Sequence, residues 1–170
     1  MADFKGKWSL DPSHSEVGFV VRHAGISKVR GSFDFVEAVL ESDADLHGKV
    51  EAVVKANSFN SGDENRDAHV KSADFLDVEN FDTLTFVGEI HKDVLSGVLT
   101  IRGVSKDVEF EITEAGTAVD PFGNQRAGFE ASTTISRKDF GLTWNAALET
   151  GGLLVSDKVA ITLDVSFIKA

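Results

Sequence analysis

At 170 residues the chain has the length of one domain, and its 42% of hydrophobic residues is enough to bury a core, which excludes intrinsic disorder. It has no cysteine, so disulfides, thiol nucleophiles and thiolate zinc sites are excluded as well. Lys and Arg number 17 against 28 Asp and Glu, and the resulting net charge of −11 opposes adsorption to nucleic acid or anionic membrane, both polyanions.

The stretch from Met1 to Lys7 lacks the apolar segment and the small-residue cleavage pattern of a secretory signal, so a soluble, cytoplasmic protein is expected. No apolar run approaches the ~18 residues of a spanning helix. Val17, Phe19, Val21 and His23 then share one face of a strand, with a turn at His23-Ala24-Gly25. The next strand changes phase: Phe33 and Phe35 have one parity, Val36, Ala38 and Leu40 the other. A bulge near Phe35 would turn all five inward. Asp43-Ala44-Asp45 opens like a calcium loop, but Val54 stands at its last ligand position, so a calcium site is rejected.

Ser61-Gly62-Asp63-Glu64 fits a capping box and predicts a short helix to about Ala73, supported by Asp67 and Lys71 at i,i+4. Phe75, Leu76, Val78 and Phe81 follow it outside any strand and need burial, so the segment from Ser61 to Phe81 is expected to close one end of the fold. Alternation resumes in Leu84/Phe86/Ile90, Leu95/Leu99/Ile101 and Val104/Val108/Phe110/Ile112. It continues in Phe129/Ala131/Thr133/Ile135 and in Val159/Ile161/Leu163/Val165/Phe167. Turns are expected at Glu114-Ala115-Gly116 and Pro121-Phe122-Gly123-Asn124, and a second helical turn at Arg137 to Gly141.

These runs add to about eight strands with short links and one wet face each. The fold class is therefore all-β, a single antiparallel β-barrel over residues 1–170 with one or two short helices. The chain has 13 Phe, 2 Trp and no Tyr. Phe on inward parities either fills such a barrel or lines a space for a hydrocarbon guest, and composition leaves both open.

Catalytic motifs are missing: there is no GxGxxG, Walker loop, HExxH or GxSxG. His14, His23, His47, His69 and His91 show no ligand pair at i,i+2 or i,i+4, so no metal is expected. His23 extends an apolar face to a strand end. It reads either as a core histidine bonded to backbone or as a contact to a ligand head group.

Four stretches in register resemble the YceI-like family. They are Trp8-Ser9-Leu10-Asp11-Pro12-Ser13-His14-Ser15 with Val29-Arg30-Gly31-Ser32-Phe33; Asn65 to Asp77; Gly97 to Val104; and Ile135 to Trp144 with Val155-Ser156-Asp157-Lys158-Val159. The chain departs from the family at Phe81-Asp82, where Tyr-Pro is usual, and at Asp107, where Pro is usual; many relatives are also exported.

The resemblance implies a lipocalin-like barrel whose apolar tunnel holds a polyprenyl or other long-chain amphiphile. It implies no cofactor beyond that lipid and no catalysis. The candidate ligand contacts are then Phe19, Val21, His23, Phe33, Phe35, Val54, Phe75, Leu76, Phe86, Leu99, Ile101, Phe110, Phe129, Ile135, Phe140, Trp144, Ile161 and Leu163. Arg66, Asp67 and Arg137 are assigned structural roles, as buried pairs Arg66–Asp67 and Arg137–Asp139, or contacts to a phosphate or phenol head group. The expected partners are a long-chain isoprenoid or other amphiphilic lipid and, in a homodimer, a second copy; nucleic acid and stable membrane insertion are not expected. Two other readings stay open. One is an enzyme acting on such a lipid through His23 or Asp67/His69. The other is a stress-related interaction module with a packed, closed core.

Overall fold

The structure, a computed structural model, describes residues 2–145 and 155–170. Period-two alternation appears as ten strands: β1 (Gly6–Leu10), β2 (Glu16–His23), β3 (Ser27–Phe33), β4 (Phe35–Ser42), β5 (His47–Lys55), β6 (Thr83–His91), β7 (Val94–Ile101), β8 (Val104–Val119), β9 (Gln125–Ser136) and β10 (Val155–Lys169). One α-helix, α1 (Glu64–Lys71), and 3₁₀ turns at Pro12–His14, Ala56–Ser58 and Arg137–Phe140 complete the described elements.

All pairings of named strands are antiparallel, in the order β1-β4-β5-β6-β7-β8-β9-β10, and β10 pairs back onto β1 to close an eight-stranded ring. The long β10 holds two strands on one edge: Leu10 of β1 pairs with Phe167, and after the Pro12–His14 turn Glu16 of β2 pairs with Asp164. β3 leads into β4 across the single residue Asp34. The ten segments thus amount to the eight strands expected, two of them interrupted.

The phase change falls where the sequence placed it, with one correction. Pairing between β4 and β5 shifts between Phe35 and Glu37, and Ala38 and Leu40 are buried, but Val36 is 52% exposed. The residue spent on the bulge is the one that does not turn in. Gly31 on β3 faces Phe19; a Cβ there would lie 2.3 Å from the Phe19 ring, so the inward aromatic requires a glycine opposite. Glu114-Ala115-Gly116 is not a turn but lies within β8, because pairing to β9 runs on through Val119, after a shift between Ile112 and Glu114.

The far end of the barrel, opposite the β2–β3 connection, is closed by Phe4 and Trp8. Trp8 donates its indole N–H to the Phe4 carbonyl at 2.8 Å, and the Phe4 ring lies 5.6 Å from that of Phe129. An ion cluster clasps the same end. Arg126 Nε donates to Asp120 at 2.8 Å and its Nη1 to Asp11 at 3.0 Å, joining the β8–β9 turn to the Pro12–His14 turn. Hydrogen bonds from the Ser13 hydroxyl, Arg126 and His14 hold Asp11 well below the usual carboxylate range; Arg126 does the same for Asp120, to about 2.

A carboxylate whose pKa is lowered by folding stabilises the fold above its unfolded value, ~3.9, and loses that contribution as pH falls through the folded value. The Asp120 contribution is therefore present above about pH 4 and fades toward pH 2. In Arg126→Gln the Asp120 carboxyl should titrate at higher pH and acid unfolding should begin earlier; an unmoved Asp120 titration in an NMR pH series would refute the clasp.

Candidate functional site

The barrel interior is a cavity of about 790 Å³ and is not packed shut. That volume falls in the upper half of the range of small-molecule pockets, about 300 to 1,000 Å³. Its wall repeats the inward parities: Val17, Phe19 and Val21 from β2, Leu84 and Phe86 from β6, Leu99 and Ile101 from β7, Phe110 and Ile112 from β8, and Phe129 and Ile135 from β9. Val159, Ile161, Leu163, Val165 and Phe167 supply it from β10. Rings in the wall meet edge-on, as Phe86 and Phe110 do at 5.7 Å.

Nearly all polar lining belongs to one end. It comes from the β2–β3 tip (Arg22, His23, Ser27, Lys28), from α1 and its approach (Asp63, Asn65, Arg66, His69), and from Arg137. This end is the mouth. α1 lies over it, capped by Asp63, whose carboxylate accepts the Arg66 amide at 3.0 Å, rather than by the expected Ser61. Phe75 and Leu76, just past the helix, are buried and face the cavity. The Phe75 carbonyl accepts from Arg102 Nη1 at 2.8 Å, which fastens this segment to the β7–β8 turn. His69, Phe75 and Trp144 close an aromatic triangle, with centroids 4.5 to 5.3 Å apart.

The expected Arg66–Asp67 pair is indirect. Arg66 donates Nε to the Ser61 hydroxyl at 2.8 Å and Nη2 to the Ser61 carbonyl at 2.9 Å, while Asp67 accepts the Ser61 amide at 2.9 Å and the Ser61 hydroxyl. Ser61 thus joins the two charges and folds the approach loop back on the helix. No ion pair links Asp67 to Lys71 among the described residues, because Asp67 turns to Ser61 instead.

Arg137 is not paired with Asp139. It is 3% exposed, and its guanidinium donates to four backbone carbonyls, Ser156, Leu142, Trp144 and Val155, at 2.5 to 3.1 Å. Burial pushes its pKa below the usual arginine value, and the charge of Asp157 offsets part of that. The residue pins the strand after the mouth to the segment before it, and among the described residues no carboxylate forms an ion pair with it.

Of the expected contacts, Phe19, Val21, His23, Phe33, Phe35, Val54, Phe75, Leu76, Phe86, Leu99, Ile101, Phe110, Phe129, Ile135, Trp144, Ile161 and Leu163 line the cavity, as do Arg66 and Arg137. Phe140 does not: it is 1% exposed, on the Arg137–Phe140 turn, and packs into the core outside the wall. Asp67 is also off the wall. His23 is no core histidine; it is exposed at the mouth, and its ring has no hydrogen-bond partner among the described residues. Asp67 and His69 do not form a dyad, since His69 Nε2 meets Asp74 at 2.9 Å. Sequence reasoning missed Phe59, which stands outside every strand yet stacks on Phe19 at 5.0 Å, and no local periodicity signals it. Among the described residues no group of three His, Asp or Glu could hold a metal.

A family model for the YceI-like domain matches residues 8–167. The UPF0312 protein of Staphylococcus aureus strain MSSA476 is 34% identical over 164 residues, covering 94% of this chain and 96% of the relative. The Campylobacter jejuni YCEI protein superposes with a TM-score of 0.70 at 29% identity, over 88% of this chain and 90% of that one. A polyisoprenoid binding domain from Saccharophagus degradans shares the fold at a TM-score of 0.66 and 16% identity, over 96% and 98% of the two chains. A closed antiparallel barrel, an apolar interior and a match along nearly all of its length place this chain in the YceI-like family.

Proposed function

We infer that the protein binds a long-chain isoprenoid lipid, of polyprenyl or quinone type, inside the barrel, and stores or carries it unchanged. The observation that carries this reading is the cavity of about 790 Å³, apolar along its length and polar almost entirely at its mouth. Such a space suits a guest with a long hydrocarbon tail and a small polar head. Burial yields ~0.8 kcal/mol per CH₂, so each isoprene unit contributes ~3 to 4 kcal/mol before ordering costs. Membership of the family supports lipid binding, and the polyisoprenoid-binding description of the S. degradans domain supports the ligand class. The separation of Asp67 from His69 and the lone His23 favour a carrier over an acid–base enzyme.

Solvent extraction of natively purified protein followed by mass spectrometry tests the assignment. A prenylated lipid, recovered in an amount comparable to the protein, is the expected result; a straight-chain fatty acid, or no lipid, would overturn it.

The wall residues should behave unlike the core. Phe140→Ala opens a hole in a packed site and should cost ~3 to 5 kcal/mol in denaturant unfolding. Phe86→Ala or Phe110→Ala borders existing space, so its stability loss should be smaller and its loss of lipid retention larger. Equal destabilisation at all three, with lipid uptake intact, would rule out a ligand tunnel.

The segment from Ser61 to Phe81 is the lid. Arg102→Gln removes the bond from Nη1 to the Phe75 carbonyl that fastens it to the β7–β8 turn, so lipid exchange, followed with a fluorescent prenyl probe, should quicken while the β-sheet circular dichroism holds. Unchanged exchange in a folded variant would sink the lid.

A further inference from the structure

The hairpin of β2 and β3 joins the mouth of the cavity to a charged outer face. Its inward side carries Phe19, Val21 and His23. At its tip Arg22 stands directly opposite Lys28, both also bordering the cavity mouth, and farther along the outward side Arg30 stands opposite Val20. All three cations are exposed, and none forms an ion pair among the described residues. Residues 17–33 hold none of the chain's 28 acidic residues. Like charges facing across two strands are locally unfavourable, so the arrangement is one that an external anionic surface would relieve. At the tip of the hairpin Ile26 is 85% exposed.

We propose that this arm is a docking surface for an anionic lipid bilayer. Three unpaired cations supply attraction to acidic head groups, and Ile26 supplies an apolar tip that enters the interface. A nucleic acid would match the cations but leave Ile26 without a role. The arm also forms one rim of the mouth, so docking presents the cavity to the bilayer from which a hydrophobic cargo must come. The net charge of −11 does not forbid this. At physiological ionic strength exposed charges are screened beyond ~8 Å, so the membrane senses the charge near the arm rather than the total of the chain, with Asp63 at the same mouth opposing part of it. Contact is peripheral: no helix among the described residues is long and apolar enough to cross a membrane.

Co-sedimentation with vesicles tests the docking alone, whatever the cavity holds. Wild-type protein should bind vesicles of phosphatidylcholine and phosphatidylglycerol in equal parts, bind pure phosphatidylcholine far more weakly, and release as salt is raised. Each Lys or Arg near an anionic surface is worth roughly fivefold in partitioning, so Arg22→Gln with Lys28→Gln and Arg30→Gln should weaken binding by roughly 100-fold. Ile26→Ser should weaken vesicle binding by about tenfold and leave any single-stranded DNA binding unchanged. Wild-type protein that ignores anionic vesicles, or binds both vesicle types equally, overturns the proposal without reference to any variant. So does a folded triple variant with undiminished binding. DNA binding that exceeds vesicle binding and needs the same three cations would assign the arm to nucleic acid instead.

Discussion

Everything in this molecule follows from a ring that closes around more space than its own side chains fill. Voids in packed interiors cost ~24 cal/mol per Å³. If even a third of the cavity of about 790 Å³ were left dry, the penalty would be about 6 kcal/mol, comparable with the whole stability of a small domain. Water is a poor filler, since the wall offers it hardly any hydrogen-bond partner below the mouth. A hydrocarbon guest of the kind proposed would supply the missing part of the core. The Phe-rich, Tyr-free composition suits it, because no ring hydroxyl is left in the wall without a partner.

The mouth shows the opposite economy. There the chain uses polar contacts to hold irregular segments that strand pairing does not reach. Ser61 holds two charged side chains on α1, Arg102 fastens the loop beyond it, and Arg137 donates to four backbone carbonyls. Such ties fix a segment in place where strand pairing is missing, and Phe75 and Leu76 add apolar burial to them.

Much of the architecture is legible from alternation, because a strand with one wet face writes its burial into every second residue. The runs on β2, β9 and β10 needed no other information. Legibility fails wherever a residue is placed by something outside its own strand. Val36 matched the inward parity but is the residue spent on the bulge, and Gly116 looks like a turn only until β9 is known to pair beyond it. Phe140 has the composition of a wall residue, but the 3₁₀ turn carries it into packed core. The cations of the β2–β3 arm were hidden for a different reason. A net charge sums over the chain, whereas their proximity is created by cross-strand pairing of Arg22 with Lys28.

The seam between the first strand and the last has a consequence in time. Trp8 pairs with Lys169, so the ring cannot shut until 161 further residues have been made. At ~5 to 20 residues per second, roughly 8 to 30 s separate the appearance of the two partners during synthesis. Throughout that interval the growing sheet carries an apolar face and an unpaired edge, and such long-range pairing is slow in any case. The nascent chain therefore passes through a long aggregation-exposed stage that a helical bundle of equal length would avoid, and chaperone dependence should be judged from this seam rather than from the stability of the finished barrel.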